Sequence, residues 1–236
     1  MILNPNYKVL AASTSTIHGS TYLEYILDEA VNFLQAEEIL FIPYARPSGI
    51  SLDEYTEAPR KAFQTKNVAV KGIHEFDDAQ QAIENAQAIF VGGGNTFLLL
   101  KTLYELNLMN SLKKVVAGGT PYMGSSAGSN LTGMTIGTTN DMPIVYPPSF
   151  DALGFLPFNL NPHYLDPDPT STHKGETRET RIKEFHGFNE QMVLGLREGS
   201  WLELQNGQLT LKGKLTARLF RANQVPIEIE PGRLTF

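Results

Sequence analysis

The amino-acid sequence predicts an α/β fold: a three-layer α/β/α sandwich with a mostly parallel sheet and antiparallel strands near the C-terminus. In the N-terminal half, short apolar runs alternate with amphipathic stretches of helical spacing, a pattern typical of parallel strands joined by crossover helices. In the last third, strand-like runs follow each other with only turns between them, such as Asn206-Gly207. No linker separates the two regions, so residues 1–236 are expected to form a single domain.

The individual elements are predicted from the spacing of apolar residues. Strands are predicted at residues 9–13, 38–43, 67–73, 88–91 and 121–124. Helices are predicted at residues 23–33, 53–64, 78–86, 96–106 and 112–117. We expect Asp77 or Asp78 to cap the third helix, and Pro59 to break the second helix near its start. The C-terminal strands are predicted at residues 192–196, 200–204, 208–211 and 217–220.

The composition argues against several classes of protein. Lys and Arg number 19 and Asp and Glu 25, a formal net charge of −6, whereas a nucleic-acid-binding surface needs clustered basic residues. Cysteine is absent, which excludes disulfides, thiolate metal sites and a cysteine nucleophile. No run approaches the ~18 apolar residues of a membrane span, and the N-terminus lacks the pattern of a signal peptide. We therefore expect a cytoplasmic protein with neither a membrane nor a nucleic acid as partner.

The segment Gly124-Ser125-Ser126-Ala127-Gly128 matches the pattern G-x-S-x-G between a predicted strand and a possible helix. In this context the pattern predicts a tight turn that exposes the hydroxyl of Ser126 as a nucleophile. The N–H of Ala127 would then point at a developing oxyanion. Ser125 is a rival hydroxyl, and a Gly/Ser-rich turn without chemistry is the alternative interpretation.

A second glycine-rich loop, Gly92-Gly93-Gly94-Asn95, also lies between a predicted strand and a helix. It does not match G-x-G-x-x-G, and no acidic residue follows at the required distance, so a dinucleotide site is not expected. Beside a nucleophilic serine, an oxyanion donor from Gly93 or Gly94 is favoured. The alternative is a tight turn that needs glycine only for its backbone conformation.

A serine nucleophile needs a general base, and five histidines are available: His18, His74, His163, His173 and His186. His163 is favoured because it follows an apolar run and falls at a predicted strand end, where the sites of open α/β sheets gather. Asp141 and Glu198 are the candidates to orient it, and spacing does not choose between them. The zinc motif H-E-x-x-H is absent, and no metal or cofactor is expected.

Six segments in unbroken order together resemble the peptidase E family of aspartyl dipeptidases. They read GGGNTF at residues 92–97, GSSAG at 124–128, TTNDMP at 138–143, NPH at 161–163, HKGETR at 173–178 and EG at 198–199. The resemblance implies the fold of class I glutamine amidotransferases and the cleavage of dipeptides with an N-terminal Asp. It departs at Ser125, where the family usually has Trp, a change expected to alter the pocket but not the triad.

The resemblance also implies roles for individual residues. Ser126 would be the nucleophile and His163 the base. Asp141 would be the third member at the level of the motif, with Glu198 as the alternative. The oxyanion hole would use the N–H groups of Gly94 and Ala127.

The recognition of an N-terminal Asp requires a cation for its β-carboxylate and an acceptor for its α-ammonium. Arg178, in the last of the six segments, is predicted to bind the carboxylate, because a guanidinium binds carboxylates in a bidentate fashion. Lys174 and Arg181 are expected to lie on a solvated face. The acceptor stays open between a backbone carbonyl and a carboxylate such as Glu176 or Asp141.

The expected partners are small peptide substrates, and the protein is expected to be a monomer or a homodimer. A related peptidase that cleaves β-linked Asp-Arg units, as cyanophycinase does, is one alternative. A non-catalytic module that binds small ligands is the other.

Overall fold

The structure is a computed structural model, and it describes residues 3–47, 49–168, 170, 172 and 175–235 of the 236-residue chain. The strands are β1 Val9–Ala12, β2 Glu38–Ile42, β3 Ala69–Gly72, β4 Ile89–Val91, β5 Tyr122–Ser125, β6 Asn159–Pro162, β7 Val193–Leu196, β8 Ser200–Gln205, β9 Gln208–Gly213, β10 Ala217–Phe220, β11 Ile227–Ile229 and β12 Gly232–Leu234. The α-helices are α1 Leu27–Leu34, α2 Leu52–Gln64, α3 Ala79–Glu84, α4 Thr96–Glu105, α5 Met109–Ala117, α6 Ala127–Asn130 and α7 Arg178–Phe185.

The larger sheet confirms the predicted fold class. Its strand order is β12-β9-β8-β1-β5-β4-β2-β3. The five strands from β1 to β3 in this order pair in parallel, and β8, β9 and β12 pair antiparallel. Successive residues of β1 face opposite sides: Val9 and Ala11 join one apolar core, and Leu10 and Ala12 join the other. Helices α1 and α2 cover one face, and α3, α4 and α5 cover the other, which gives three layers.

A smaller second sheet of order β11-β10-β7-β6 was not predicted. Two strands expected to extend the main sheet, β7 and β10, belong to it instead. Its first strand, β6, pairs in parallel with β7, with Asn159 opposite Val193. Because β6 ends just before His163, this sheet brings the candidate base to the larger sheet.

Two local expectations have different outcomes. Asp78 caps α3, since its side chain accepts a hydrogen bond from the Gln81 N–H at 3.0 Å. The expectation that Pro59 breaks α2 is wrong, because the helix continues through it to Gln64. A capping box between Ser51 and Glu54 stabilises the start of this helix, and the buried side chain of Pro59 lies on its core face.

Within the described residues, no helix combines the length and apolar character needed to cross a membrane.

Candidate active site

Ser126 sits at the carboxyl end of the central strand β5, directly before α6. Its φ of 53° and ψ of −108° place a non-glycine residue in a sparsely populated conformation. The flanking glycines make the turn possible. A methyl group at Gly124 would lie 2.4 Å from the Gly128 carbonyl oxygen, and one at Gly128 would lie 2.2 Å from the Val91 carbonyl oxygen. The G-x-S-x-G segment therefore forms the strained strand-turn-helix unit expected from its pattern.

His163 reaches Ser126 from the smaller sheet. Its Nε2 lies 2.8 Å from the Ser126 Oγ, so the hydroxyl can donate a hydrogen bond to the ring. Its backbone N–H donates to the Ser13 hydroxyl at 2.9 Å, and that hydroxyl donates to the Leu196 carbonyl at 2.7 Å. Sequence reasoning missed Ser13, although its position at the end of β1, next to β5, was a usable signal. Ser13 thus holds the backbone of His163 between the two sheets.

Glu198 is the carboxylate that contacts His163. Its Oε1 lies 2.6 Å from the imidazole Nδ1, within reach of a hydrogen bond donated by an Nδ1–H. Glu198 stands in the turn between β7 and β8, and the following residue, Gly199, has a φ of 86°. The two ring nitrogens of His163 thus face Ser126 and Glu198, the arrangement of a nucleophile, its base and a group that orients the base.

Asp141, the motif-level candidate for the third position, lies elsewhere in the structure. Its Oδ2 accepts hydrogen bonds from the Thr96 N–H at 2.7 Å, the Thr96 hydroxyl at 2.6 Å and the Thr139 hydroxyl at 3.1 Å. These contacts hold the carboxylate at the N-terminus of α4. There it accepts a hydrogen bond from an N–H that has no partner within the helix, and its negative charge interacts favourably with the helix dipole. The structure therefore brings Ser126, His163 and Glu198 together and places Asp141 apart from the imidazole.

The glycine-rich loop packs directly against Ser126. A methyl group at Gly93 would lie 3.0 Å from the Ser126 Cβ. Gly94 has a φ of 138°, and a methyl group there would lie 2.2 Å from the Ala45 carbonyl oxygen. In the part of the chain that the structure describes, the N–H groups of Gly94 and Ala127 have no protein acceptor. Both are free to donate to a substrate oxygen.

Arg178 is the first residue of α7, which Thr177 caps by accepting from the Thr180 N–H at 3.1 Å. Among the described residues no carboxylate forms an ion pair with its guanidinium. Burial and the neighbouring Arg181 lower the pKa of Arg178, and the negative charge of Asp141 opposes this. A half-buried, unpaired guanidinium near Asp141 is suited to bind an anion.

The remaining candidates have other surroundings. Arg181 lies 3.7 Å from Glu176, as expected for a solvated pair. His74 contacts Asp53, His186 contacts the Gln191 carbonyl, and His18 is exposed. Lys174 and His173 lie outside the described residues.

The rival hydroxyl of Ser125 is buried, and no described residue forms a hydrogen bond with it. It therefore lacks the contact with His163 that Ser126 has. Across the described ranges, no group of three or more His, Asp or Glu side chains is arranged to hold a metal ion.

Comparisons with known proteins identify the family. Residues 9–212 match the model of peptidase family S51. A protein of Streptomyces coelicolor named peptidase E is 50% identical over 225 residues, covering 95% of this chain and 91% of its own. A protein of Drosophila melanogaster named probable alpha-aspartyl dipeptidase is 46% identical, covering 97% and 96%.

A solved structure shares the fold. It is a crystal structure of a peptidase from an acI-B1 Actinobacterium, and it covers 98% of this chain and 97% of its own with a TM-score of 0.73. At 13% identity, that likeness concerns the fold alone. The family model spans both the Ser126 turn and the residues that meet it, His163 and Glu198, and on this match the chain belongs to peptidase family S51.

Proposed function

We propose that this protein is a serine dipeptidase that hydrolyses dipeptides with an N-terminal Asp through an acyl-enzyme intermediate. The observation that carries the proposal is the series of contacts from Ser126 to His163 to Glu198, in a member of a peptidase family. The names of the relatives, peptidase E and probable alpha-aspartyl dipeptidase, support the substrate class.

In the proposed reaction, the Ser126 Oγ attacks the carbonyl carbon of the aspartyl residue while the His163 Nε2 takes the hydroxyl proton. Glu198 holds the imidazole in the tautomer that leaves Nε2 free, and it stabilises the imidazolium that forms. His163 then gives the proton to the leaving amine, and the C–N bond breaks. A water molecule, deprotonated by His163, hydrolyses the aspartyl ester and regenerates Ser126.

The backbone supplies the stabilisation of the oxyanion. The Ala127 N–H directly follows Ser126, and the Gly94 N–H follows Gly93, which packs against Ser126. Neither N–H has an acceptor among the residues described, so we assign both to the tetrahedral intermediate. We assign the β-carboxylate of the substrate to Arg178, because its guanidinium is half-buried and free of ion pairs in the described structure. The cytoplasmic location, and a monomer or homodimer as the active form, stay predictions.

The test is an assay of the purified protein on Asp-Leu, Leu-Asp, Glu-Leu and the β-linked Asp-Leu isomer, without added metal. We expect cleavage of Asp-Leu and a loss of about 10⁴-fold or more in kcat for Ser126→Ala. Ser125→Ala is the matched control: it removes the adjacent hydroxyl, which forms no hydrogen bond with any described residue, and should keep activity.

Two results would overturn the proposal. One is substantial Asp-Leu cleavage by a folded Ser126→Ala variant. The other is a wild-type enzyme that cleaves β-linked Asp-Leu and leaves Asp-Leu intact, which would identify a peptidase for β-linked substrates instead.

A further inference from the structure

We infer that Asp141 binds the α-ammonium group of the substrate, so that a free N-terminus is recognised by this carboxylate and the β-carboxylate by Arg178. The inference rests on the proposed function and specifies its substrate class. Asp141 would thus be a binding residue that contacts the substrate, with no part in orienting His163.

The two oxygens of the Asp141 carboxylate have different surroundings. Oδ2 receives three hydrogen bonds, two from Thr96 and one from Thr139, which fix the side chain in one orientation. Oδ1 receives none from the residues that the structure describes, and Asp141 is only partly buried. One oxygen therefore anchors the carboxylate and leaves the other available to an incoming donor.

The hydroxyl protons of this cluster also determine how Asn130 is oriented. The Thr96 and Thr139 hydroxyls each have one proton: the Thr96 proton goes to the Asp141 Oδ2, and the Thr139 proton goes to that oxygen or to the Thr96 oxygen, both at 3.1 Å. Neither proton is available to Asn130. The Asn130 side chain must therefore offer its Nδ2 to the two threonine oxygens, at 3.3 and 3.4 Å. Asn130 is only 5% exposed, and its buried Oδ1 has no donor among the described residues.

The cluster consequently has more acceptors than donors. Asp141 Oδ1 and Asn130 Oδ1 are both without a partner among the described residues, and one of the two side chains carries a full negative charge. A group that brings several N–H donors and a positive charge complements this arrangement. An α-ammonium has three such donors. An anion or an apolar group would leave the acceptors unsatisfied.

The position relative to the nucleophile suits the N-terminus of the substrate. Asp141 Oδ2 lies 2.7 Å from the N atom of Thr96, which is two residues after the oxyanion donor Gly94. Two residues of chain span at most about 7 Å. In an aspartyl residue the α-nitrogen is two bonds from the carbonyl carbon. A substrate whose carbonyl oxygen meets the Gly94 N–H therefore holds its ammonium close to the short segment that leads from Gly94 to Thr96, within the distance that this segment spans.

The neighbouring charges agree with this assignment. Arg178 is close enough for Asp141 to act on its guanidinium electrostatically, so the site offers one anion and one cation. An N-terminal Asp presents the complementary pair, an ammonium and a carboxylate on adjacent carbons. The other acidic candidate, Glu176, is exposed and paired with Arg181, which makes it the weaker acceptor.

The experiment measures binding in the Ser126→Ala protein, which holds the substrate without turnover. The probes are Asp-Leu and succinyl-Leu, which differ only by the α-amino group. By calorimetry we expect Asp-Leu to bind about 10- to 100-fold more tightly. Adding Asp141→Asn, which keeps an oxygen for the Thr96 N–H, should abolish this difference. Adding Glu198→Gln should preserve it, which separates the ammonium site from the triad.

The possible outcomes separate the assignment of Asp141 from the proposed function. Equal affinity for the two probes, or a difference that survives Asp141→Asn, would overturn the inference and leave the proposed function intact. Failure of the wild-type enzyme to cleave Asp-Leu, or of Ser126→Ala to bind it, would overturn both. If Asp141→Asn does not fold, as judged by circular dichroism, Asp141→Ser replaces it, because serine also offers an acceptor to the Thr96 N–H.

Discussion

The two carboxylates Glu198 and Asp141 both stand in polar turns, and the sequence made each a candidate to orient His163. In the structure they accept hydrogen bonds from different residues. Glu198 meets the imidazole Nδ1 of His163, at a sequence separation of 35 residues. Asp141 meets the backbone and hydroxyl of Thr96. Spacing along the chain does not predict this difference, because the fold determines which of the two turns lies next to His163.

We expect Glu198→Gln to lower kcat for Asp-Leu by about 10²- to 10⁴-fold with little change in KM. The glutamine keeps a polar group near Nδ1, but it loses the charge that stabilises the imidazolium, and its amide favours the wrong tautomer. Steady-state kinetics on Asp-Leu measure the effect. An unchanged kcat would remove Glu198 from the triad and return Asp141 to consideration.

At the scale of elements, the turn from β5 into α6 depends on contacts with the neighbouring strand β4. Gly128 is the second residue of α6, and its Cα faces the Val91 carbonyl at the end of β4. Because a side chain at this position has no room, α6 can approach β4 closely. That approach brings Ser126 and the loop that contains Gly94 together.

Gly128→Ala should therefore displace α6 and the nucleophile together. The added methyl group would lie 2.2 Å from the Val91 oxygen, and we expect a loss of about 1–3 kcal/mol in stability together with loss of Asp-Leu cleavage. Thermal unfolding and kcat/KM measure the two effects. Gly118→Ala is the control, since its φ of −76° suits alanine and its nearest contact is 3.2 Å. Wild-type activity in Gly128→Ala would contradict this argument.

Some elements of the fold could be predicted from the sequence, and others could not. Strands β1 to β5 are mostly apolar and buried, and amphipathic stretches lie between them, so the local pattern was sufficient to predict these elements. Strand β6 contains the buried polar residues Asn159 and Asn161, and it pairs in parallel with β7, the strand that follows α7. Neither its composition nor its spacing reveals that pairing, and the second sheet was missed for this reason.

At the scale of the whole molecule, the candidate site lies where the two sheets meet. Ser126 and Gly94 follow strands of the larger sheet, His163 follows β6 of the smaller one, and Glu198 lies in the turn that joins β7 to β8. Ser13 bridges the sheets through its hydrogen bonds to His163 and Leu196. The distances between Ser126, His163 and Glu198 therefore depend on how firmly the smaller sheet is held.

An ion-pair network at Glu228, on β11, ties the smaller sheet to the residue that precedes Glu198. Burial alone would raise the pKa of Glu228, but hydrogen bonds from Arg197, Thr216 and Arg218 lower it to about 2, from 4.5. A carboxyl group whose pKa is lowered by folding contributes stability that is complete above pH 4.5 and is lost as the pH falls towards 2. The side chain of Glu228 is 38% exposed, so solvent screening reduces the contribution to about 1 kcal/mol.

Glu228→Gln should accordingly lower the melting temperature at pH 7, by a few degrees for about 1 kcal/mol in a chain of this size. The gap between the variant and the wild type should narrow as the pH falls from 4.5 towards 2, because the wild-type carboxylate is then protonated and its charge-assisted bonds to Arg197 and Arg218 are lost. Melting curves across this range, with the exposed Glu230→Gln as control, measure the effect. A gap of equal size at pH 7 and pH 2.5 would show that packing at β11, rather than the charge of Glu228, holds the smaller sheet in place.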